Sequence, residues 1–278
     1  MTGQLSPLAQ GKAAGAAAPY GSLMLKTGQT IQYDSELDDG YYEKGVAKSY
    51  TVNTAGSQSG TTNVDLTHLV SDTGAFTAAN KTYTDAGKCG VFKAAGGETV
   101  VISGSGNNNG VFTTASATAD TVVFVEAITD EADAPLTTFK KREAISNNTV
   151  LDNNTGLTWL RSPSLKMGIA GDGKMPWTGT GYDIFAWCAA CNAASVGGYT
   201  DWRVANIFEL FLLSKSSASY SVPDSTAFPN ISWNDPYWSS TSSSMTPTTY
   251  ATYVFYQAPN VGRNTKTTAY FVLLVRGG

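Results

Sequence analysis

The feature that most constrains this chain is a change of pattern at Asn206. Upstream, Tyr199, Trp202 and Val204 alternate with Thr200, Asp201 and Arg203, which fits a half-buried strand or turn. Downstream, Ile207, Leu210, Phe211 and Leu213 recur at helical spacing. Asn206 is suited to accept the amide of Glu209 while the Glu209 carboxylate reaches back, a capping box with Asn in the Ser/Thr place. A short helix is therefore expected to start from an aromatic corner.

Other elements follow from the same kind of reading. Residues 1–22 are small and flexible in composition, an arm that is either a disordered tail or laid along a neighbouring subunit. Leu23 to Tyr33 alternates apolar and polar residues around Gly28, and Asp38-Asp39-Gly40 makes a turn. Val100 and Ile102 lead into a turn in which Asn107 to Gly110 are expected to supply positive φ angles, and Val111 to Thr114 lead out; Thr121 to Ala127 is a further strand. Asn153-Asn154-Thr155-Gly156 is a hairpin turn between Val150-Leu151 and Leu157 to Leu160. Thr180 is expected to cap a helix from about Tyr182 to Ala194, and strands close the chain near Tyr237 to Thr241, Tyr250 to Tyr256 and Tyr270 to Val275.

Several blocks carry a resemblance. Gly198-Tyr199-Thr200-Asp201-Trp202-Arg203 followed by Asn206-x-x-Glu209-Leu210 resembles the C-terminal domain of the Legionella collagen-like protein family. Lys26-Thr27-Gly28-Gln29-Thr30, Asp38-Asp39-Gly40 and Lys44-Gly45-Val46-Ala47 resemble that family's opening, and Thr149 to Trp159 its second block. Tyr237 to Thr241 and Tyr270 to Arg276 resemble its last strands, while Val204-Ala205 stands where the family usually has Leu-Pro. The resemblance implies an α+β, C-type lectin-like domain with two short helices and antiparallel strands. It is formed from 23–50 and 146–278, a fold shared with formylglycine-generating enzymes and with variable proteins of diversity-generating retroelements. Residues 51–145 interrupt it as an inserted small all-β domain. Phe76, Tyr83-Thr84-Asp85, Val101 to Ser105, Asn108 to Thr113 and Thr121 to Glu126 are similar to a β module of tailed-phage structural proteins, over residues 66–130.

Composition narrows the partners. With 278 residues and 42% hydrophobic content the chain can hold one large or two ordinary domains. Its net charge of −4 gives no general attraction for nucleic acid or anionic membrane, and neither partner is expected. No run of about 18 apolar residues spans a bilayer. The first residues lack a basic start and apolar core, so a secretory signal is not expected, and work outside a cell implies another route, such as release in an assembled particle. Three cysteines argue against a disulfide framework.

Each candidate chemistry has a plainer reading. Cys188 and Cys191 have redox spacing, yet lie on the apolar side of a predicted helix with no basic neighbour, so core packing is expected. The lack of a later cysteine argues against the oxidase chemistry of the formylglycine-generating enzymes. His68 has no second histidine to form a zinc site or nucleophilic relay and is expected on the surface or in a turn. Asp152, Asp183, Asp201 and Glu209 have turn or capping work, and Trp159, Trp202 and Trp238 read as core. Trp233-Asn234-Asp235 is similar to a lectin calcium segment, but Gln257-Ala258-Pro259-Asn260 follows it where the lectin partner segment precedes, so no metal and no cofactor are expected.

What remains is the C-terminal surface, where Ser232 to Pro236, Ser242 to Tyr250 and Tyr253 to Thr268 are dense in Tyr, Asn, Ser and Thr, like a set of binding loops. The candidate ligand-binding residues are Trp233, Asn234, Asp235, Tyr250, Tyr253, Tyr256, Asn260, Arg263 and Asn264. The functional expectation is a non-enzymatic tailed-phage virion protein, a tail fibre or tip or a capsid-surface component. It would be a homotrimer contacting other virion subunits, and would bind a carbohydrate or protein receptor on the bacterial surface after the virion leaves the host cytoplasm. A purely structural decoration protein and a bacterial surface adhesin are the alternatives.

Overall fold

The computed structural model describes residues 47–132, 136–162, 172–179, 182–216, 221–257 and 260–277. The N-terminal arm, the strands expected within Leu23–Tyr33, the opening blocks up to Val46 and the cap expected at Thr180 lie outside the described residues. Mostly antiparallel strands and two short helices make up the described chain.

After β1 (Tyr50–Asn53) come β2 (Thr61–Ser71), β3 (Ala75–Thr77), β4 (Thr82–Thr84), β5 (Thr99–Ser103), β6 (Gly110–Ala117), β7 (Thr121–Phe124) and β8 (Thr137–Ser146). The last seven form one sheet in the order β2-β8-β5-β6-β7-β4-β3. Phe76 on β3 meets Phe139 on β8 at 6.2 Å and Tyr83 on β4 meets it at 4.6 Å, so the sheet curls until its far strands share a core. The β5–β6 hairpin forms as expected, but glycine rather than asparagine takes the positive φ, at Gly104 and Gly110. The asparagines are held instead by a carboxylate. Glu131 accepts from Ser105 Oγ, the amides of Gly106 and Asn107, and Asn108 Nδ2.

The remaining elements are β9 (Thr149–Asp152), β10 (Thr158–Leu160), β11 (Met175–Pro176), α1 (Ile184–Ala193), β12 (Arg203–Val204), α2 (Ile207–Leu212), β13 (Lys215–Ser216), β14 (Ser221–Val222), β15 (Pro236–Ser242), β16 (Tyr250–Phe255), β17 (Asn260–Thr265), β18 (Ala269–Val272) and β19 (Leu274–Arg276). They form a sheet β1-β9-β10-β19-β12, a sheet β11-β18-β15-β16-β17 and the pair β13-β14. Of the pairings in the two larger sheets, only β15 with β18 is parallel. Asn153 to Gly156 turn the β9–β10 hairpin, with Gly156 at φ 75°. Asp183 caps α1 by accepting from the amides of Phe185 and Ala186, so the helix starts at Ile184 rather than at about Tyr182. Asn206 and Glu209 form the expected capping box on α2.

The strand pair β2–β8 joins the two regions. A bulge between Thr67 and Leu69 inserts one extra residue, so His68 and Leu69 both point inward. The buried positions therefore run Val64, Leu66, His68 and then Leu69 and Ser71. Leu69 joins the core of the seven-stranded sheet with Phe76, Tyr83 and Phe139, whereas Val64, Leu66 and Ile145 join Ile184, Trp187 and Cys191 of α1. His68, expected on the surface or in a turn, is instead 6% exposed, with its ring 4.3 Å from that of Tyr182 and Nδ1 2.8 Å from Leu66 O. The bulge is the physical reason, since it adds an inward position to the strand.

The base of the seven-stranded sheet is clamped as well. Gln58 Nε2 donates to Gly197 O, and Asn147 Oδ1 accepts from Gly197 N while Asn147 Nδ2 donates to Ser59 O. Gly198, which opens the family-like block, sits at φ +81° with Ser57 Cβ only 2.7 Å from where its own Cβ would be. Both the backbone conformation and the close approach require glycine.

All six tryptophans lie at or beyond Trp159, so their fluorescence reports on the C-terminal region alone. Leu66→Ala on β2 is expected to cost about 2–5 kcal/mol, and to lower the tryptophan-monitored urea midpoint together with that of the far-ultraviolet signal. An unchanged tryptophan midpoint would contradict the shared core.

Candidate functional site

Sequence placed Tyr253 to Thr268 among loops, but β17 occupies Asn260–Thr265 and forms a hairpin with β16. Residues on paired strands share a face with their partners. Ala251 pairs with Asn264, Tyr253 with Gly262 and Phe255 with Asn260. These alternate with Tyr250 opposite Thr265, Thr252 opposite Arg263 and Val254 opposite Val261. The candidate set is thereby split. Tyr253, Asn260 and Asn264 share one face; Tyr250 and Arg263 lie on the other, with the guanidinium 5.6 Å from the Tyr250 ring centroid.

Tyr256 does not belong to the surface. It is fully buried, its hydroxyl donates to Leu210 O at 2.9 Å, and burial first, then the neighbouring Tyr237 and Tyr50, push its pKa well above the ordinary phenol value. It fastens the sheet to α2. Trp233 is 44% exposed and Asn234 is exposed, whereas Asp235 is half-buried, accepts from Ser232 Oγ at 2.6 Å and pairs with Lys174 at 3.1 Å. Burial alone would raise the Asp235 pKa, but Ser232 and Lys174 hold it below the ordinary carboxylate value. The cation this carboxylate meets is an ammonium of the same chain. Among the described residues no three His, Cys, Asp or Glu side chains gather as a metal centre would need.

The first face carries an aromatic platform. Trp238 is fully buried, with its ring 4.6 Å from that of Tyr270 and 6.2 Å from that of Tyr253, and the two tyrosines meet edge to face at 5.1 Å. Trp238 Nε1 donates to Thr268 O and Asn264 Nδ2 donates to the Tyr270 hydroxyl at 2.6 Å. A Cβ on Gly262 would lie 2.3 Å from Tyr253 Cζ, so the tyrosine ring covers the glycine directly. Burial, and then the Tyr270 phenol, raise the Tyr253 pKa, which keeps that hydroxyl protonated. Trp177 belongs to the same cluster: its Nε1 donates to Ser239 O, Phe185 meets it edge to face at 4.8 Å, and Lys266 Nζ lies 3.8 Å from its ring centroid while donating to Pro247 O.

Tyr270, Trp177 and Lys266 were missing from the candidates. Tyr270 was hidden by its position in a framework strand. The signal that was available is its alternation, since Tyr270 and Val272 must share a face on β18. Trp177 and Lys266 meet only through the fold, for the Trp177 amide donates to Lys266 O.

A shallow groove of about 480 Å³ runs between α1, β12 and the start of α2, lined by Phe185, Cys188, Asn192, Trp202, Arg203 and Asn206 among others. Its polar groups are engaged. Asn192 exchanges hydrogen bonds with the Trp202 backbone, and Cys188 Sγ donates to Trp202 O. Burial pushes the Cys188 thiol up to about 11 and Cys191 well above the ordinary value, so both are protonated core side chains. Arg203 takes both oxygens of Glu209. Asp201 pairs with Arg276, and Asp152 Oδ1 accepts from Asn154 N. The arrangement offers ring faces and fixed donors, which suit non-covalent contact.

Residues 148–276 match the family model described as the Lcl C-terminal domain. Comparison with curated proteins and with solved structures gives no match.

Burial raises the Glu209 pKa, but the Arg203 guanidinium and the Asn206 amide outweigh it and hold the carboxyl below its ordinary value. A depressed folded pKa contributes stability above the unfolded value, near 4.3, that is lost as pH falls through the folded one. Glu209→Gln is therefore expected to be less stable at pH 7 and to show a shallower loss of stability below about pH 4, read from urea midpoints across pH. Parallel pH profiles for the two proteins would contradict it.

Proposed function

We propose, from the premise that residues 148–276 belong to the Lcl C-terminal domain family, that this chain is a tailed-phage virion protein holding a bacterial surface receptor on its C-terminal face. In this reading the family domain takes a C-type lectin-like fold, and residues 51–145 are an inserted module that docks or spaces the protein on a tail or capsid. Binding is non-covalent, and no bond of the receptor is made or broken. Other virion subunits are partners, and trimeric repetition on a particle turns weak single contacts into avidity.

The observation that carries the reading is the platform of Tyr253 and Tyr270 over buried Trp238. Both tyrosines are half-buried and restrained by packing, and Asn264 fixes one hydroxyl. Rigid aromatic rings present large contact area at small entropic cost, and the surrounding Asn and Thr side chains supply adaptable hydrogen bonds. Candidates on the opposite face, Tyr250 and Arg263, serve as an internal control.

Adsorption of the purified protein to susceptible cells is the test. Tyr253→Ala and Gly262→Ala, which removes or displaces the same ring, are expected to weaken adsorption by about tenfold, the loss of one aromatic contact worth roughly 1.4 kcal/mol. Tyr250→Ala is expected to change it little. Adsorption that is absent, or indifferent to Tyr253, would turn the reading towards a structural decoration protein. Adsorption to animal or plant cells instead of bacteria would favour a bacterial adhesin.

A further inference from the structure

One ion pair of the seven-stranded sheet is buried rather than solvated. Lys141 sits mid-strand on β8, between Leu66 of β2 and Val100 of β5, and is only 3% exposed. Its Nζ lies 2.7 Å from Glu98 Oε1, and the Glu98 side chain is itself 11% exposed. The ammonium stands over the ring of the core residue Phe92, 5.9 Å from its centroid. Two charges withdrawn from water carry a desolvation cost that their attraction offsets only with good geometry and further hydrogen bonds.

The two oxygens of this carboxylate are held differently. Oε1 faces the Lys141 nitrogen, while Oε2 accepts from the Lys93 amide at 2.7 Å. A backbone donor on one oxygen polarises the carboxyl carbon towards a nucleophile approaching on the side of the other. The amine is tuned as well: burial pulls the Lys141 pKa below the ordinary ammonium value, against Glu98 and Glu143, which raise it. Glu143 follows two residues later on the same face of β8 and supplies a second carboxylate.

We propose that Lys141 Nζ and Glu98 Cδ condense into an amide, a covalent bridge between β8 and the residue that leads into β5. Glu143 takes a proton from the Lys141 ammonium, the freed amine attacks Glu98 Cδ, and the bond from Cδ to Oε1 breaks. The departing oxygen receives two of the three ammonium protons, one of them through Glu143, and leaves as water. No oxidation state changes and no co-reactant is consumed. Oε2 remains as the amide carbonyl and keeps its hydrogen bond to Lys93. Condensation converts a desolvated ion pair into a neutral group, and packing that holds the two atoms in contact replaces a bimolecular encounter. The bridge closes a covalent loop through β5, β6 and β7. Its assignment does not rest on receptor binding.

The test is the intact mass of the purified full chain, incubated at neutral pH until the mass no longer changes, followed by tryptic mapping. The expected chain is lighter than its sequence by one water and yields a branched peptide joining Glu98 to Lys141. Glu143→Gln is expected to slow linkage by about a hundredfold, the loss of one general acid–base group. The paired variant Glu98→Gln with Lys141→Met, which removes both charges together, is expected to keep its full mass. The wild-type mass decides without any variant: a chain at full sequence mass, or one that loses water at another position, would overturn the proposal. Linkage at an unchanged rate in Glu143→Gln would overturn the part assigned to Glu143.

Discussion

One carboxylate, that of Glu209, sets the register on which the C-terminal region depends. It accepts the Asn206 amide at 2.8 Å, closing the cap of α2, and takes both outer nitrogens of Arg203 on β12. Arg203 also donates to Gly277 O, and β12 pairs with β19, so the helix start, the aromatic corner and the last strand are fixed together. The second sheet is docked on the same corner. Ser240 N donates to Ala205 O, Ile207 N donates to Thr241 Oγ1, and the Tyr256 hydroxyl reaches Leu210 O. The half-buried carboxylate is matched by a guanidinium and a backbone donor, the condition under which such a group organises rather than destabilises.

What was legible in the sequence was local. The Asn206–Glu209 cap, the β9–β10 turn, the β5–β6 hairpin and the core cysteines each depend on residues a few positions apart, and those features stand where spacing put them. What was not legible depended on a distant partner. β17 reads Asn-Val-Gly-Arg-Asn-Thr, with little β propensity of its own, and becomes a strand because β16 supplies every pairing. Tyr256 looks like its neighbours in composition, and packing against Tyr237 and α2 makes it interior. His68 turns inward through a bulge that a period-two pattern cannot anticipate.

The same distinction governs the candidate site. A loop set chosen by composition mixes residues that strand alternation then separates, placing Tyr253 and Asn264 on one face and Tyr250 and Arg263 on the other. The face with the denser aromatic packing also gathers Tyr270 and Trp177, which no sequence window places beside Tyr253. Its rings are restrained from below by Trp238 and from the side by Lys266, whose ammonium also holds the Pro247 carbonyl. Surface composition suggested a binding region, while the pairing register determines which of its side chains can act together.

The inward face of β2 and β8 has a further consequence, for inheritance. Because Val64, Leu66 and Ile145 fill space around Trp187 and Cys191, residues 61–146 are not suspended on a linker that recombination can cut freely. A foreign sheet spliced at the same points would have to bring three apolar side chains of matching volume, or leave the helix partly hydrated. Exchanging this sheet without α1 would therefore cost packing, and a change of volume at any of these three positions calls for a compensating change in α1.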